Sequence, residues 1–499
     1  MTGPAAAPFG EALALLQLGR PGEAVFRLRA AFSLEPASAD IAAALGFALG
    51  QLGRAQDAAA CYRQALAFDP AHPAALCNLG ELARGEGDFA RARDLLSAAI
   101  AVRPDLAEAH SNLGLVLAAQ GEIVAAAAAL ERSVELRPEF ADGWSNLANV
   151  LIEAGRPEDA VSAGRRSARL APGSAAAWWN LGLAERVAGR LIPAIASLRR
   201  ALVLAPDNAM THWNLALALL AAGAWREGWA EWEWRFAAGR ARPLAPGVPV
   251  LTAADCVEGK RIALYSEQGL GDTLQFLRYA WALERAGACV DLAVQEPVAR
   301  LLAACGTPFT RVRVNDGSAP PQPPDFQASL MSLAGIAGTR VSNVPPPSPV
   351  LGIPASVRAR WHDWASKRSR PLVGFAWRGN PLHPADRFRS LSDDAAGEII
   401  RLLGDGYVSL QLDAGSPARD LAETAALIAE LDQVISADTM IAHLAGLIGT
   451  PVRILLSAAP DWRWLTGRED SPWYPQTRLI RQTRIGDWGP VIEDIRRTP

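Results

Sequence analysis

The chain has 499 residues, of which 50% are hydrophobic and 20% charged, and its formal net charge at pH 7 is −3. A chain of this length exceeds what one hydrophobic core supports, so two to four domains are expected, and the apolar content excludes a disordered protein. The near-neutral charge gives no reason to expect nucleic acid as a partner.

The cysteines and the apolar runs indicate in which cellular compartment the protein is expected. The five cysteines form no CxxC pair, which favours free thiols in a reducing cytoplasm. The first ten residues, MTGPAAAPFG, do not show the basic and apolar regions of a signal peptide. No uninterrupted apolar run approaches the roughly 18 residues of a membrane helix, so we expect a cytoplasmic protein without a membrane span.

Small residues and prolines recur every 34 positions through the first 236 residues. The first small position holds Ala12, Gly46, Gly80, Gly114, Ala148, Gly182 and Ala216. Twenty-four residues later come Pro36, Pro70, Pro104, Pro138, Pro172 and Pro206. The small residues allow two helices to cross closely, and each proline ends the second helix. This pattern resembles the tetratricopeptide repeat, which it matches about seven times.

The resemblance implies an α-solenoid whose concave groove binds an extended peptide or another protein surface. One asparagine recurs in each repeat, at Asn78, Asn112, Asn146 and Asn180. These side chains are candidates for a ladder that binds the backbone of a peptide acceptor. The alternative is that each asparagine only forms a hydrogen bond within its own repeat.

The last repeat differs from the others. Trp225, Trp229 and Trp232 follow one another at i, i+4 and i+7, which places three large apolar side chains on one helix face. A terminal helix of a solenoid would not expose such a stripe, so we expect it to be buried against the following domain. Residues 237–255 have the composition of a linker.

From residue 256 short strands alternate with helices, which predicts a doubly wound α/β lobe. The predicted elements are strand 261–266, turn 269–272, helix 273–286, strand 290–294, helix 297–305 and strands 311–314 and 326–330. Gly269 and Gly271 in the turn would let backbone amides approach a ligand, and Asp272 would enter a cleft at the helix start. The alternative is that Asp272 is an ordinary helix cap.

A second lobe is predicted from residue 356, with strands 372–377 and 407–412 and helices 393–403 and 421–431. The interval 357–390 carries eight Arg or Lys residues against two Asp residues. Cations that follow the end of a strand indicate that phosphate oxygens bind nearby. The alternative is a solvated basic surface loop.

Residues 434–456 predict a βαβ unit, with strand 434–436, helix 440–448 and strand 452–456. Asp438 and Thr439 lie where the helix begins, and the unpaired amides and helix dipole favour an anion there. Thr439 and His443 are four residues apart and share one helix face. The alternative is that Asp438 or Thr439 only caps the helix while His443 packs against the sheet.

Three stretches together carry a second resemblance: GLGDTLQFLRYA, GFAWRGNPLHPADRFRSL, and ISADTMIAHLAGLIGTPV followed by PDWRWLTGREDSPWYP. They resemble the heptosyltransferase-type GT-B glycosyltransferases, and more closely the bacterial proteins in which such a domain follows tetratricopeptide repeats. The resemblance implies an α-solenoid of repeats (1–236), a linker (237–255) and two Rossmann-like GT-B lobes (256–355 and 356–499).

The resemblance also implies site residues. Asp272 matches the candidate general base, and Asp438, Thr439 and His443 match the motif that binds the donor. Further donor contacts are expected from the turn 269–272, from the basic loop 377–389 that follows strand 372–377, and from the end of strand 407–412. The residues are Gly269, Gly271, Trp377, Arg378, Asn380, His383, Arg387 and Gln411. Two departures from the heptosyltransferases are Met440 in place of a glycine and a short stretch between Gln411 and Leu421, which omits a strand beside the nucleotide base.

The expected function is therefore an inverting, metal-independent glycosyltransferase without a cofactor, which moves a sugar from a nucleotide-sugar donor to a protein or peptide held by the repeats. The alternative is a non-catalytic scaffold with a degenerate nucleotide-sugar-binding domain. A further alternative is an acceptor that is a glycan rather than a protein.

Overall fold

A computed structural model of the chain describes residues 3–242, 244–306, 309–347, 351–381, 386–411 and 415–497, without the side chain of Arg387. The backbone contacts divide it into two compact units, Met1–Ala188 and Gly189–Pro499. The boundary lies inside the repeats, before the predicted domain end at residue 236, because the last helices of the array pack with the α/β part of the chain.

The first unit consists of helix pairs. Its helices are α1 (Ala6–Gln17), α2 (Pro21–Leu34), α3 (Ala39–Gln51), α4 (Ala55–Phe68), α5 (Pro73–Gly85), α6 (Phe89–Val102), α7 (Ala107–Ala119), α8 (Ile123–Leu136), α9 (Ala141–Glu153), α10 (Pro157–Leu170) and α11 (Ala175–Val187). The glycine that follows the first helix of each pair has a positive φ, a left-handed conformation that glycine adopts without steric cost.

The small residues of the repeat allow helices to approach closely, as the spacing predicts. A Cβ atom at Gly80 would lie 2.8 Å from Leu96 Cγ, and one at Gly114 would lie 2.6 Å from Leu130 Cγ. Leu96 and Leu130 are fully buried. A larger residue at either glycine would therefore force the two helices of its repeat apart.

The second unit begins with the remaining helices of the array, α12 (Leu191–Leu204), α13 (Ala209–Ala221) and α14 (Trp225–Trp232). All three tryptophans of the predicted stripe are at most 4% exposed. Trp229 donates a hydrogen bond from Nε1 to the carbonyl oxygen of Thr339, 110 residues further along the chain, at 3.1 Å. The expected burial of α14 against the following domain is confirmed.

The first sheet is parallel, with strand order β3-β2-β1-β4. Its elements are β1 (Arg261–Tyr265), α15 (Leu270–Arg285), β2 (Cys289–Val294), α16 (Glu296–Cys305), β3 (Arg311–Val314), β4 (Phe326–Ser329) and α17 (Leu333–Ile336). The segment predicted as a linker is attached to this sheet: the buried Gln327 side chain hydrogen-bonds the backbone of Ala245 and Val248.

The second sheet is also parallel, with order β6-β5-β7-β8-β9. Its elements are α18 (Ala355–Ser366), β5 (Val373–Ala376), α19 (Asp386–Arg389), α20 (Asp393–Leu403), β6 (Tyr407–Ser409), α21 (Leu421–Ile428), β7 (Gln433–Ala437), α22 (Met440–Ile448), β8 (Val452–Leu456), β9 (Thr477–Arg481) and α23 (Gly489–Arg497). In the residues described between β6 and α21, 410–411 and 415–420, there is no strand.

The sequence missed α18, β9 and α23. The first lies before β5, in residues for which the sequence predicted no element, and Trp361 and Ala365 are buried on one face of this helix. Both sheets and α14 share one apolar cluster, which includes Trp229, Leu264 and Leu456. Within it α15 packs against α22 and α16 against α21. No helix in the described part of the chain has the length and apolarity to cross a bilayer.

Candidate functional site

The second sheet places its ligand crevice between β5 and β7. Strand β5 has β6 on one side and β7 on the other, so the connections from its end and from the end of β7 leave in opposite directions. In open parallel sheets, ligands bind outside the carboxyl ends of the strands at such a point. The segments that follow the two strands here are 377–381 and 438–439.

The start of α22 is capped and half-exposed. Thr439 is the N-cap residue, and its Oγ1 accepts a hydrogen bond from the backbone N–H of Ile441 at 3.3 Å. The hydroxyl of Ser436 lies 3.1 Å from the same oxygen. Thr439 and Met440 are both half-buried, and Met440 packs against the common apolar cluster. Thr439 therefore caps the helix, and part of its surface remains open at the crevice.

Asp438 is a buried carboxyl group. It is 7% exposed, and burial raises its pKa to about 6, with a further contribution from the neighbouring Asp461. The guanidinium groups of Arg463 and Arg389 act in the opposite direction. Near neutral pH this side chain is therefore much more readily protonated than an exposed aspartate.

His443 lies deep between the two sheets. It is 3% exposed, it stacks on Trp464 with ring centroids 5.4 Å apart, and its Nδ1 lies 3.0 Å from the Tyr474 hydroxyl. Burial lowers its pKa well below the usual value, and nearby arginines lower it further, so the ring is neutral. A Cβ atom at Gly271 would lie only 2.6 Å from His443 Cδ2. The first turn of α15 thus contacts α22 directly.

Asp272 occupies the third position of α15, which begins at Leu270 inside the segment predicted as a turn. Its Oδ2 accepts a hydrogen bond from the backbone N–H of Gly269 at 2.9 Å, so the residue does cap its helix. Its Oδ1 also forms an ion pair with Nη2 of Arg463, a residue of the second sheet's half of the unit. The carboxylate is 17% exposed and is held by both contacts.

Arg463 is the central residue that the sequence did not identify. It is 7% exposed, and besides Asp272 it contacts Asp461 Oδ1 at 2.7 Å and Gln275 Oε1 at 2.8 Å. Burial alone would lower its pKa, but Asp461 and Asp272 outweigh that effect and raise it. The only signal was its position in the stretch PDWRW, which contributed to the resemblance without a role for any one residue.

The described residues of the basic loop that follows β5, 377–381, 386 and 388–389, are only partly exposed. Trp377 requires a correction, because its side chain is 7% exposed and packs on Phe375 in the core instead of lining the crevice. The side chain of Arg378 is 40% exposed, and its backbone is tied to Gln411 by hydrogen bonds of 3.3 and 3.2 Å. Asn380 is exposed.

Two further predicted contacts lie outside the described residues, namely His383 and the side chain of Arg387. A neighbouring cation, which the sequence also offered as a partner of the leaving diphosphate, is Arg389; it is paired with Asp386 at 3.2 Å and is 22% exposed. It affects both Asp438 and His443 electrostatically. In the described part of the chain, no group of three His, Cys, Asp or Glu side chains is arranged to hold a metal ion.

The recurring asparagines connect neighbouring repeats. Nδ2 of Asn146 donates to Ser111 Oγ at 3.2 Å, and Nδ2 of Asn180 donates to Ser145 Oγ at 2.6 Å. Asn112 has a longer contact of 3.9 Å with a cysteine sulfur of the preceding repeat, and Asn78 bonds to a tyrosine of the preceding repeat. The bonds therefore run between repeats, not within one repeat as the alternative held. Asn78, Asn112 and Asn146 remain half-buried, whereas Asn180 is 5% exposed.

The tetratricopeptide repeat family model matches residues 9–75, 77–141 and 145–209. These residues are tetratricopeptide repeats, as the period of the small residues and prolines predicts. The α/β part of the chain lies outside the matched residues.

Protein FlbA of Caulobacter vibrioides is 28% identical to this chain over 323 residues. The alignment covers 55% of this chain and 52% of FlbA, so the chain spans about half the length of this relative.

Solved structures match the chain in part. The Cut9 and Hcn1 hetero-tetramer of the APC/C matches with 17% identity, a TM-score of 0.41 and coverage of 43% of this chain and 42% of that chain. PilF of Pseudomonas aeruginosa matches with 24% identity, a TM-score of 0.36 and coverage of 40% and 92%. The tetratricopeptide repeat protein TTC0263 of Thermus thermophilus matches with 24% identity, a TM-score of 0.32 and coverage of 36% and 98%.

Proposed function

We propose that this protein is an inverting, metal-independent glycosyltransferase of the GT-B class that uses a nucleotide-sugar donor. The observation that carries the proposal is that α15, which bears Asp272, packs directly against α22, the helix after β7: a Cβ atom at Gly271 would lie 2.6 Å from His443 Cδ2. Two of the sequence blocks that resemble heptosyltransferases, far apart in the chain, thus converge on one place beside the crevice of the second sheet.

The donor would bind on the second sheet's side of this place. The half-exposed start of α22 at Thr439 offers backbone N–H groups and the positive end of a helix dipole to a diphosphate. Arg378 and Arg389 follow β5 in the chain, and they are the cations that would stabilise the charge that develops on the leaving diphosphate. With a pKa of about 6, Asp438 is mostly ionised at pH 7, so these cations would also have to offset its repulsion towards that anion.

Asp272 would act as the general base. It would accept the proton of the acceptor hydroxyl while the acceptor oxygen forms a bond to the anomeric carbon. The bond from that carbon to the diphosphate oxygen would break on the opposite face, so the configuration would invert. Because Arg463 pairs with Asp272, the carboxylate is kept ionised and oriented before the acceptor arrives.

The repeats would supply the acceptor. Tetratricopeptide repeats bind protein segments, so a protein or peptide held in the groove beside Asn78, Asn112 and Asn146 is the acceptor that this architecture favours. Asn112 and Asn146 donate their inter-repeat hydrogen bonds from Nδ2. Their Oδ1 atoms are the acceptors that a peptide N–H would use.

A second candidate function is a non-catalytic adaptor, and one observation favours it. Both carboxylate oxygens of Asp272 are already engaged, Oδ2 by the backbone N–H of Gly269 and Oδ1 by Arg463. A domain that only supports a docking surface would keep this carboxylate in such structural bonds permanently.

A ligand-binding measurement separates the two functions. Thermal unfolding of the full chain with UDP-, GDP- and ADP-sugars tests for a donor, because a ligand at 100 times its Kd stabilises the folded state by about 2.7 kcal/mol. The transferase predicts stabilisation by one class and slow hydrolysis of that donor. Asp272→Asn should reduce turnover by about 10²-fold or more, whereas the exposed Asp405→Asn should not. Absence of stabilisation by every class, with no turnover, would leave the adaptor as the function.

A further inference from the structure

The guanidinium of Arg463 is held on three sides. Nη2 contacts Asp272, Nη1 contacts Asp461 at 2.7 Å, and Nε donates to Gln275 Oε1 at 2.8 Å. Asp272 and Gln275 lie on one face of α15, and Asp461 precedes Arg463 by two residues. The planar fork of arginine can satisfy these three partners at once, which the single ammonium group of lysine cannot do.

Two tryptophans fix the backbone and the face of Arg463. Trp473 donates a hydrogen bond from Nε1 to the Arg463 carbonyl oxygen at 3.0 Å. The guanidinium carbon lies 5.0 Å from the centroid of the Trp462 ring. Both rings are at most 3% exposed, so Arg463 has little freedom to leave Asp272 without disturbing the core.

These tryptophans pack against the last repeat. Trp462 lies edge-on to Trp229 and Trp232, with ring centroids 5.3 and 5.6 Å apart. Trp473 stacks on Trp225 at 5.0 Å. The tryptophan stripe of α14 therefore packs against Trp462 and Trp473. Trp462 in turn contacts Arg463, which pairs with Asp272.

We propose that Arg463 is a positioning residue for Asp272, and that α14 of the last repeat, through Trp462 and Trp473, holds it there. The inference rests on the proposed function, because it assigns Asp272 the role of base. The last repeat is in this view a part of the site and not only the end of the docking array. A repeat array that ended before α14 would leave Arg463 without its support.

Loss of Arg463 has two expected effects on the reaction. Asp272 keeps the backbone bond from Gly269 but loses the ion pair, so its carboxylate is less well oriented towards the acceptor, and misplacement of a reacting group costs up to about 10²-fold in rate. A carboxylate that loses a neighbouring cation also holds its proton more tightly. The acidic limb of the pH dependence of kcat/KM therefore moves to higher pH.

The test uses the full chain with Arg463→Gln, Arg463→Lys and the matched control Arg313→Gln. Arg313 forms a comparably buried ion pair with Asp291 at 2.6 Å on the first sheet, outside the site. Arg463→Gln should lower kcat/KM by about 10- to 100-fold at neutral pH and shift the acidic limb upwards. Arg463→Lys should bring the acidic limb of the pH profile back towards its wild-type position but should restore less of kcat/KM. Lysine supplies the positive charge but lacks the planar guanidinium that contacts three partners. Arg313→Gln should change neither.

A second pair of variants tests whether α14 holds Arg463 in place through Trp462. Trp462→Leu should shift the acidic limb in the same direction as Arg463→Gln, and the double variant should show no larger shift than Arg463→Gln alone. Trp488→Leu, which removes a buried tryptophan from the separate apolar cluster beside α23, should lower stability without moving the limb.

The possible failures are distinct. A wild-type protein that turns over its donor and an Arg463→Gln variant with an unchanged acidic limb would overturn the inference but not the function. A wild-type protein without turnover on any donor would overturn the function and the role of Arg463 with it. If Arg463→Gln does not fold, the cycle of Asp272→Asn with Arg463→Lys in urea unfolding decides, since additive effects of the two changes would overturn the coupling.

Discussion

Gly271→Ala tests the contact that closes the two sheets onto each other. The added Cβ would lie 2.6 Å from His443 Cδ2 and 3.3 Å from Nε2, and contacts under 3.0 Å are not tolerated without movement. His443 cannot yield easily, because it is buried between Trp464 and Tyr474. Insertion of one carbon into a packed interior costs about 1–3 kcal/mol.

The same substitution also has a favourable part, which a control must remove. Alanine in place of glycine in a helix stabilises by up to about 1 kcal/mol. Gly397, in α20, has no atom within 4 Å of the position of an added Cβ, so Gly397→Ala should show this gain alone. We therefore expect the free energies of unfolding of Gly271→Ala and Gly397→Ala to differ by about 1–3 kcal/mol, with Gly271→Ala the less stable.

Urea unfolding followed by tryptophan fluorescence is a suitable assay, because thirteen of the sixteen tryptophans lie after Ala188. In the background of His443→Ala the imidazole is absent, so the penalty of Gly271→Ala should disappear, which gives a coupling of about 1–3 kcal/mol between the two sites. Equal stabilities of Gly271→Ala and Gly397→Ala would refute the close contact, and with it the closed arrangement of α15 and α22.

Three further predictions concern other parts of the chain. Burial raises the pKa of Asp438 to about 6, above the usual value of an unfolded chain, so this group makes the folded state less stable as the pH rises from about 4 to 6. Asp438→Asn should therefore gain stability relative to the wild type across that range, by up to about 3 kcal/mol in urea unfolding at a series of pH values, and a pH-independent difference would contradict the assignment. Asn180→Ala should destabilise by about 1–2 kcal/mol, because it leaves the Ser145 hydroxyl without its 2.6 Å partner, whereas Asn112→Ala, with a 3.9 Å contact to sulfur, should cost less when both are compared by thermal unfolding. A fragment of residues 189–499 should be monodisperse in size-exclusion chromatography, whereas a fragment of residues 237–499 should aggregate, because it exposes the apolar surface that Trp225, Trp229 and Trp232 cover; equal behaviour of the two fragments would show that α14 is dispensable.

Local patterns predicted most of the helices and strands of the chain. The 34-residue period located the helix pairs, and α20, α22 and β8 have the predicted bounds. The amphipathic face of α18, by contrast, is weak, because only Trp361 and Ala365 are buried, and no helix was predicted there. Strand β9 and helix α23 were missed because they follow a long irregular segment after β8 that has no periodic pattern.

The candidate site was predicted in its parts but not in its contacts. Asp272 and Thr439 were identifiable because each follows a strand at the start of a helix, a place where backbone amides are unpaired. His443 was identifiable because it lies four residues after Thr439, on the same helix face. The role of Arg463 was not identifiable, because it lies in a short 3₁₀ turn without a periodic pattern, and its partners Asp272 and Gln275 are nearly 190 residues away in the chain. Trp377 was assigned to the ligand because it ends a strand, although its side chain alternates inwards onto Phe375.

The sequence by itself determined the repeat array and the alternation of strands and helices, because period, glycine and proline act through the local backbone. It also located the loops that follow the carboxyl ends of the strands, since these depend only on the order of the elements. Tertiary structure alone decided that α15 and α22 meet at Gly271 and His443, and that Asp272 is paired with Arg463. These contacts join residues far apart in the chain, and their energies come from burial and charge pairing, which no local pattern encodes.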